Sequence, residues 1–170
     1  MKIYTKLTAI AAASTLAMAS QTAWAATSAD ANASATIVTP IAITTTTNLD
    51  FGTVSPSSTL GTVVIANNGT RTKTGGAVLV TGGSSSQAVL SVSGQSGLTY
   101  GITLPTSVSL SDGGAHSMTV DTFTTDLKTD GTQSLADGGD TMNVGATLHV
   151  AADQAAGSYT NTFTVLVAYN

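Results

Sequence analysis

The sequence contains no cysteine and no glutamate, and only 8% of its 170 residues are charged. Without cysteine there can be no disulfide framework and no thiolate metal site. The charged fraction is far below the roughly one quarter of an ordinary globular chain. Helix surfaces draw on Glu, Lys and Arg, so their scarcity disfavours helix. The five cations form no cluster, which excludes nucleic acid and anionic lipid as partners. Proline is limited to Pro40, Pro56 and Pro105, and tryptophan to Trp24.

What remains is rich in Thr, Ser, Ala, Gly and Val. A Thr/Ser/Gly-rich chain can be disordered. Against that, 42% of the residues are hydrophobic, and many alternate with polar ones at the two-residue period of a half-buried strand.

The first residues read as a leader rather than as fold. Lys2 and Lys6 are followed by an apolar stretch from Leu7 to Ala19 and by Ala23-Trp24-Ala25, a small-x-small cleavage site. This places a secretory signal peptide at 1–25 and the mature chain at 26–170. The leader is too short to span a membrane, and no later apolar run is long enough. The mature chain keeps Arg71, Lys73 and Lys128 against nine Asp, a net charge of 3 − 9 = −6.

Strand patterns recur along the mature chain. Leu49 and Phe51 begin one. Thr62–Ala66 and Ala77–Val80 are short apolar runs of the kind expected for buried strands. Ala88, Leu90 and Val92 share a face, as do Tyr100, Ile102 and Leu104, and Met118 with Val120. Met142, Val144, Ala146, Leu148 and Val150 form the longest alternation. Gly-Gly and Asp-Gly steps separate these segments, and Asn68-Gly69 reads as a hairpin turn. Many short strands with regular turn signals predict an all-β sandwich or barrel in one domain.

Both ends of the mature chain alternate. Ala29, Ala31, Ala33, Ala35 and Ile37 fall on one face of an extended segment, with polar residues between them. Each alanine buries little area, about 1 kcal/mol or less at 25 cal/mol/Å². Such a segment becomes ordered only where a sheet edge adds backbone hydrogen bonds. At the other end Tyr159, Phe163, Val165, Val167 and Tyr169 share a face, with Asn161 as the exception.

The C-terminal residues resemble the end of chaperone–usher pilus subunits. Gly157 stands fourteen positions from the end, as 170 − 157 + 1, and Tyr169 is the penultimate aromatic. The wider chain resembles an uncharacterised bacterial family similar to major fimbrial subunits. That likeness runs through Ala35–Ile41, Leu49–Val54, Tyr100–Pro105 and Val144–Val150. Spore-coat-U-type subunits are similar more weakly. The resemblance implies an immunoglobulin-like β-sandwich of pilin type at 38–170 that lacks its last strand. A periplasmic chaperone would fill the resulting groove until the N-terminal extension of the next copy replaces it at an outer-membrane usher. Mapped onto this chain, the donor strand is Ala29, Ala31, Ala33, Ala35 and Ile37, within an extension at 26–37. The groove edge and chaperone-binding strand comprises Gly157, Phe163, Val165, Val167, Tyr169 and Asn170, whose carboxylate would meet a chaperone cation. Alternation by itself specifies a strand without specifying whose sheet it joins, so residues 26–37 also read, as the alternative to a donor, as a strand of their own domain.

Other chemistry finds little footing. Asp126, Asp130, Gly131 and Asp137 fall at calcium-loop spacing. However, Lys128 occupies a ligand position, and Asp137 is too short for the closing bidentate contact. His116 and His149 lack partners for a metal set, and His149 alternates out of phase with its apolar neighbours. Asn32-Ala33-Ser34 and Asn68-Gly69-Thr70 match the glycosylation sequon. No nucleophile elbow or phosphate loop is present. Lys73 and Lys128 stand in polar contexts unsuited to a buried covalent cross-link. The sequence thus predicts a structural protein and not an enzyme, with no cofactor and no metal. Its partners would be further copies of itself in a head-to-tail fibre, a chaperone and an usher, and its place the cell surface as a fimbrium. The alternative is a self-complete surface, matrix or adhesin/carbohydrate-binding sandwich. Loss of Trp24 with the leader disfavours sugar stacking in that reading.

Overall fold

The computed structural model describes residues 27–170; the leader read at 1–25 lies outside them. The chain divides into a unit ending at Thr36 and a unit spanning Ile37–Asn170. Within the first, residues 27–36 form no strand, and every side chain is exposed.

The second unit is all-β, an immunoglobulin-like sandwich of antiparallel strands. These are β1 (Ala42–Thr47), β2 (Val54–Ser55), β3 (Gly61–Ile65), β4 (Arg71–Gly75), β5 (Val78–Leu79), β6 (Ala88–Ser93), β7 (Thr99–Thr103), β8 (Ser107–Ser111), β9 (Ser117–Thr125), β10 (Gln133–Ser134), β11 (Asp140–Val150) and β12 (Leu166–Tyr169). The larger sheet runs β1-β6-β11-β3-β4, and β9 joins it through β11 and carries β8. A smaller sheet runs β10-β7-β12, and β2 with β5 forms a ribbon.

The alternation of the sequence becomes the burial of the strands. In β3, Val63 and Ile65 are fully buried while Thr62 and Val64 are partly exposed. Along β11, Met142, Val144, Ala146, Leu148 and Val150 all point inward. This strand organises the core because its first half pairs with β6 and its second half with β3. One apolar cluster gathers around Tyr100, Met142 and Val144, and the other around Val63, Ile65 and Leu148. No polar or charged residue is buried among the described residues.

The turn signals act as their chemistry requires. Gly69 adopts φ +81°, and its N–H donates to the Ala66 carbonyl at 2.9 Å, closing the hairpin between β3 and β4. The run Ala77–Val80 departs from expectation. Only Ala77 is buried, whereas Val78 and Val80 are 47% and 39% exposed. The segment makes a two-residue pairing with β2 rather than a core strand, because only one neighbour covers it.

Met142 is fully buried where β6 and β11 pair. Its replacement by alanine removes packing that no neighbour can restore. Met142→Ala is expected to lower unfolding free energy by about 2–5 kcal/mol, read from the urea midpoint at unchanged m-value.

Candidate functional site

The C-terminal segment from Gly157 to Asn170 is held along one edge only. Thr160 exchanges backbone hydrogen bonds of 2.9 and 3.1 Å with Ser111, and further on β12 pairs with β7. The Asn161 amide donates to the Ser109 carbonyl at 2.7 Å on the same side, and the Asn170 N–H donates to Thr99 O at 3.3 Å. The even-numbered residues therefore direct their backbone groups at β8 and β7. The odd-numbered residues direct theirs to the opposite edge, since N–H and C=O alternate sides along a strand. Among the described residues, Asn161, Phe163 and Val165 make no backbone hydrogen bond to a neighbouring segment.

The same odd-numbered residues turn their side chains inward. Val165 is buried, and Tyr159, Phe163, Val167 and Tyr169 are half-buried, while Thr160, Thr162, Thr164 and Leu166 are exposed. The face predicted from the sequence is thus the inward face, with Asn161 as the exception that remains exposed. Phe163 stacks against Phe123 at 5.0 Å between ring centroids, tilted by 41°. The Tyr159 hydroxyl donates to the Ala155 carbonyl at 2.8 Å and accepts from Gln154 Nε2 at 2.9 Å. This bond back to a residue four positions earlier pins the turn into the last strand, as the tyrosine corner of immunoglobulin-like sandwiches does.

Between this segment and the stretch Leu49–Pro56 lies an open cavity of about 1070 Å³. Its floor is apolar, formed by Ala88 and Leu90 of β6, Val108 and Leu110 of β8, Met118 and Val120 of β9, and Leu148 and Val150 of β11. Asp50 fixes the far wall: it exchanges backbone bonds of 2.9 Å with Ser86, and its carboxylate accepts from Gly52 N–H at 2.7 Å. The walls are two extended segments and the floor is hydrophobic. That shape suits an added β-strand, whose backbone would bond the free edge while alternate side chains enter the floor.

Of the sequence-predicted groove residues, Gly157 and Phe163 line the cavity, whereas Val165 and Val167 follow along the chain outside it. Gly157 sits at the rim, where an added Cβ would approach the Cβ of Asp112 to 3.4 Å, an ordinary contact. Tyr169 lies beyond the cavity, at the end of β12. The Asn170 side-chain amide donates to the Gly131 carbonyl. Of the donor residues, Ala29, Ala31, Ala33 and Ala35 are exposed, and Ile37 is 91% exposed. Sequence reasoning passed over the floor residues Val108 and Leu110, although Ser107-Val108-Ser109-Leu110-Ser111 alternates cleanly.

The discounted polar groups take part in local bonds. Asp126 accepts from the Asn143 backbone and side chain, and Asp130 from Thr132. Among the described residues no group of three or more metal-ligating side chains is present. No helix among them is long and apolar enough to cross a membrane. His116 Nδ1 lies 2.7 Å from Asp112, and His149 Nε2 lies 2.9 Å from Asp121. Each histidine holds its aspartate below the usual carboxylate range, helped at Asp112 by the Gly114 N–H and at Asp121 by the Thr122 hydroxyl. A depressed carboxylate stabilises the fold above its unfolded pKa, and the contribution is lost as pH falls through the folded value. Stability of the β8–β9–β11 region is therefore expected to fall as pH drops from about 5 to about 2. In Asp112→Asn with Asp121→Asn that acid-dependent loss should shrink, as read from urea midpoints across the same range.

Residues 41–169 match the family model described as a domain of unknown function, DUF4402, so the chain belongs to that family. No curated protein and no solved structure matches the chain.

Proposed function

We propose that this DUF4402 protein is the structural subunit of a surface fibre and that its copies join by donating a β-strand into one another's grooves. The carrying observation is the apolar groove flanked by the unpaired backbone edge of the C-terminal segment. The occupant is residues 26–37 of the next copy, with Ala29, Ala31, Ala33, Ala35 and Ile37 turned toward the floor. In support, residues 27–40 are exposed and form no strand, so the segment is available to another sheet.

The energetics divide between backbone and side chains. Each main-chain hydrogen bond formed at the free edge contributes about 0.5–1.5 kcal/mol net. The four alanines add about 1 kcal/mol or less each, and Ile37 about 1.5–3 kcal/mol. A head-to-tail joint of this kind does not close on itself, so it propagates as a fibre. Before assembly an open groove and strand edge invite aggregation. A periplasmic chaperone would cover them with a strand of its own, and an outer-membrane usher would exchange that strand for the donor. The leader and the negative mature chain suit export through the periplasm to the surface.

The test is assembly of the mature chain with a matching periplasmic chaperone, intact and lacking residues 26–37. The intact chain is expected to give a ladder on an unboiled denaturing gel and fibres by electron microscopy. The truncated chain should stop as chaperone-bound monomer. A stable, chaperone-free monomer from the intact chain would sink the reading in favour of a self-complete surface protein. Complementation tests the polarity of the joint. Ala33→Asp spoils the donor and Leu110→Asp the groove, so neither variant alone should form a ladder. Their mixture should give a heterodimer and nothing longer.

A further inference from the structure

Tyr169 reaches from the end of the last strand to the place where the N-terminal extension leaves the fold. Its hydroxyl donates to the Thr39 carbonyl at 3.0 Å and accepts from the Gln95 N–H at 2.5 Å. β12 belongs to the smaller sheet, whereas Gln95 follows β6 and Thr39 precedes β1, both of the larger sheet. One side chain thus bridges the two sheets at the root of the extension. The site is shaped around it. A Cβ on Gly94 would stand 2.2 Å from the hydroxyl, so only glycine leaves room for the contact. Pro40 restricts Thr39 to extended backbone, so fixing the Thr39 carbonyl fixes the chain at that point.

The segment that leads into the same strand is the groove edge. Phe163 lines the cavity, and Tyr169 follows six residues later, roughly 20 Å along an extended chain. With the groove empty, β12 is a four-residue edge strand, paired on one side by β7 alone. A short strand held at one edge opens at low cost, and Tyr169 would open with it. A donor strand bonded to Asn161, Phe163, Val165 and Val167 would convert it into an interior strand.

We propose that Tyr169 is a positioning residue that couples a filled groove to the root of the extension. A subunit then presents its own donor segment in a fixed arrangement only after its groove has been occupied. This inference rests on the strand-donation reading and adds an order to it: growth proceeds from joined subunits.

The test follows single-amide hydrogen exchange in the mature chain, with a synthetic peptide of residues 27–40 as the groove occupant. Slowed exchange at Phe163 and Val165 reports that the peptide is bound. In the unaltered chain the peptide is expected also to slow the distant Gln95 amide by about fivefold or more, the effect of securing one hydrogen bond. In Tyr169→Phe the peptide should still protect Phe163 and Val165 but leave Gln95 unmoved. Gly94→Ala, which displaces the hydroxyl while leaving every residue of β12 unaltered, should behave the same way. A tyrosine that served packing alone would not make Gln95 respond to the peptide. Protection at Phe163 and Val165 with Gln95 unmoved in the unaltered chain, or moved equally in Tyr169→Phe, overturns the coupling and leaves strand donation standing. Absence of protection at Phe163 and Val165 overturns both.

Discussion

The C-terminal segment from Gly157 to Asn170 is paired along one edge only, with a groove beside its first half, and the rest of the structure is arranged around that asymmetry. A sandwich gains its stability by closing two sheets over a shared apolar interior. Here the residues that would complete the interior are only partly covered. Leu49, Val108, Leu110, Met118 and Phe163 all remain half-buried at the opening. The backbone of Asn161, Phe163 and Val165 adds unpaired donors and acceptors beside them. Side chains and main chain are therefore open toward the same space, between Leu49–Pro56 and the C-terminal segment.

A fold with this opening has to be secure elsewhere, and it has few means. It lacks disulfides, and among the described residues its ion pairs are two exposed histidine–aspartate contacts. Exposed pairs of this kind contribute little. Stability rests instead on β11, which pairs with three strands and buries five apolar side chains between them. The walls are braced by local polar bonds: Asp50 on one side and the Tyr159 corner on the other. Tyr100, fully buried, bonds Asp140 at 2.7 Å, and both burial and that contact push its hydroxyl well above the ordinary tyrosine range. The tyrosine thus remains a neutral donor across the neutral pH range.

Much of this was legible because strand alternation translates directly into burial. Met142 to Val150 and Tyr159 to Tyr169 were assigned faces from spacing alone, and those faces are the inward ones. Asn68-Gly69 marked its hairpin because few dipeptides accept the required backbone. Ala77–Val80 misled because an apolar run reports composition, whereas burial depends on how many neighbours cover it, and only the β2 ribbon pairs with it. A groove was expected from the resemblance alone, and its floor was not legible. Its floor draws on β6, β8, β9 and β11, which come together only through topology. Val108 and Leu110 carried a clean alternation, yet nothing local distinguishes a floor residue from a core residue. The hydroxyl contacts of Tyr169 were hidden for the same reason: its partners lie 130 and 74 residues away in sequence.

On the strand-donation proposal, the alanine-faced extension makes physical sense. A donor strand with large apolar side chains would bind more tightly through burial, but it would be exposed on every unassembled copy and would favour nonspecific association. Alanines alternating with Ser, Asp, Asn and Thr keep the free segment compatible with water. What they give up in burial, the backbone can supply, because main-chain hydrogen bonds form whatever the side chains are. Such bonds are shielded and directional only against a preformed edge, and the unpaired odd-numbered residues of the last strand provide one. Under that proposal specificity would come from register, since a one-residue slip would turn Ser, Asp, Asn and Thr toward an apolar floor. The single large residue, Ile37, stands at the end of the alternation nearest the fold, where on the same proposal it would mark the register with the only bulky side chain the segment carries.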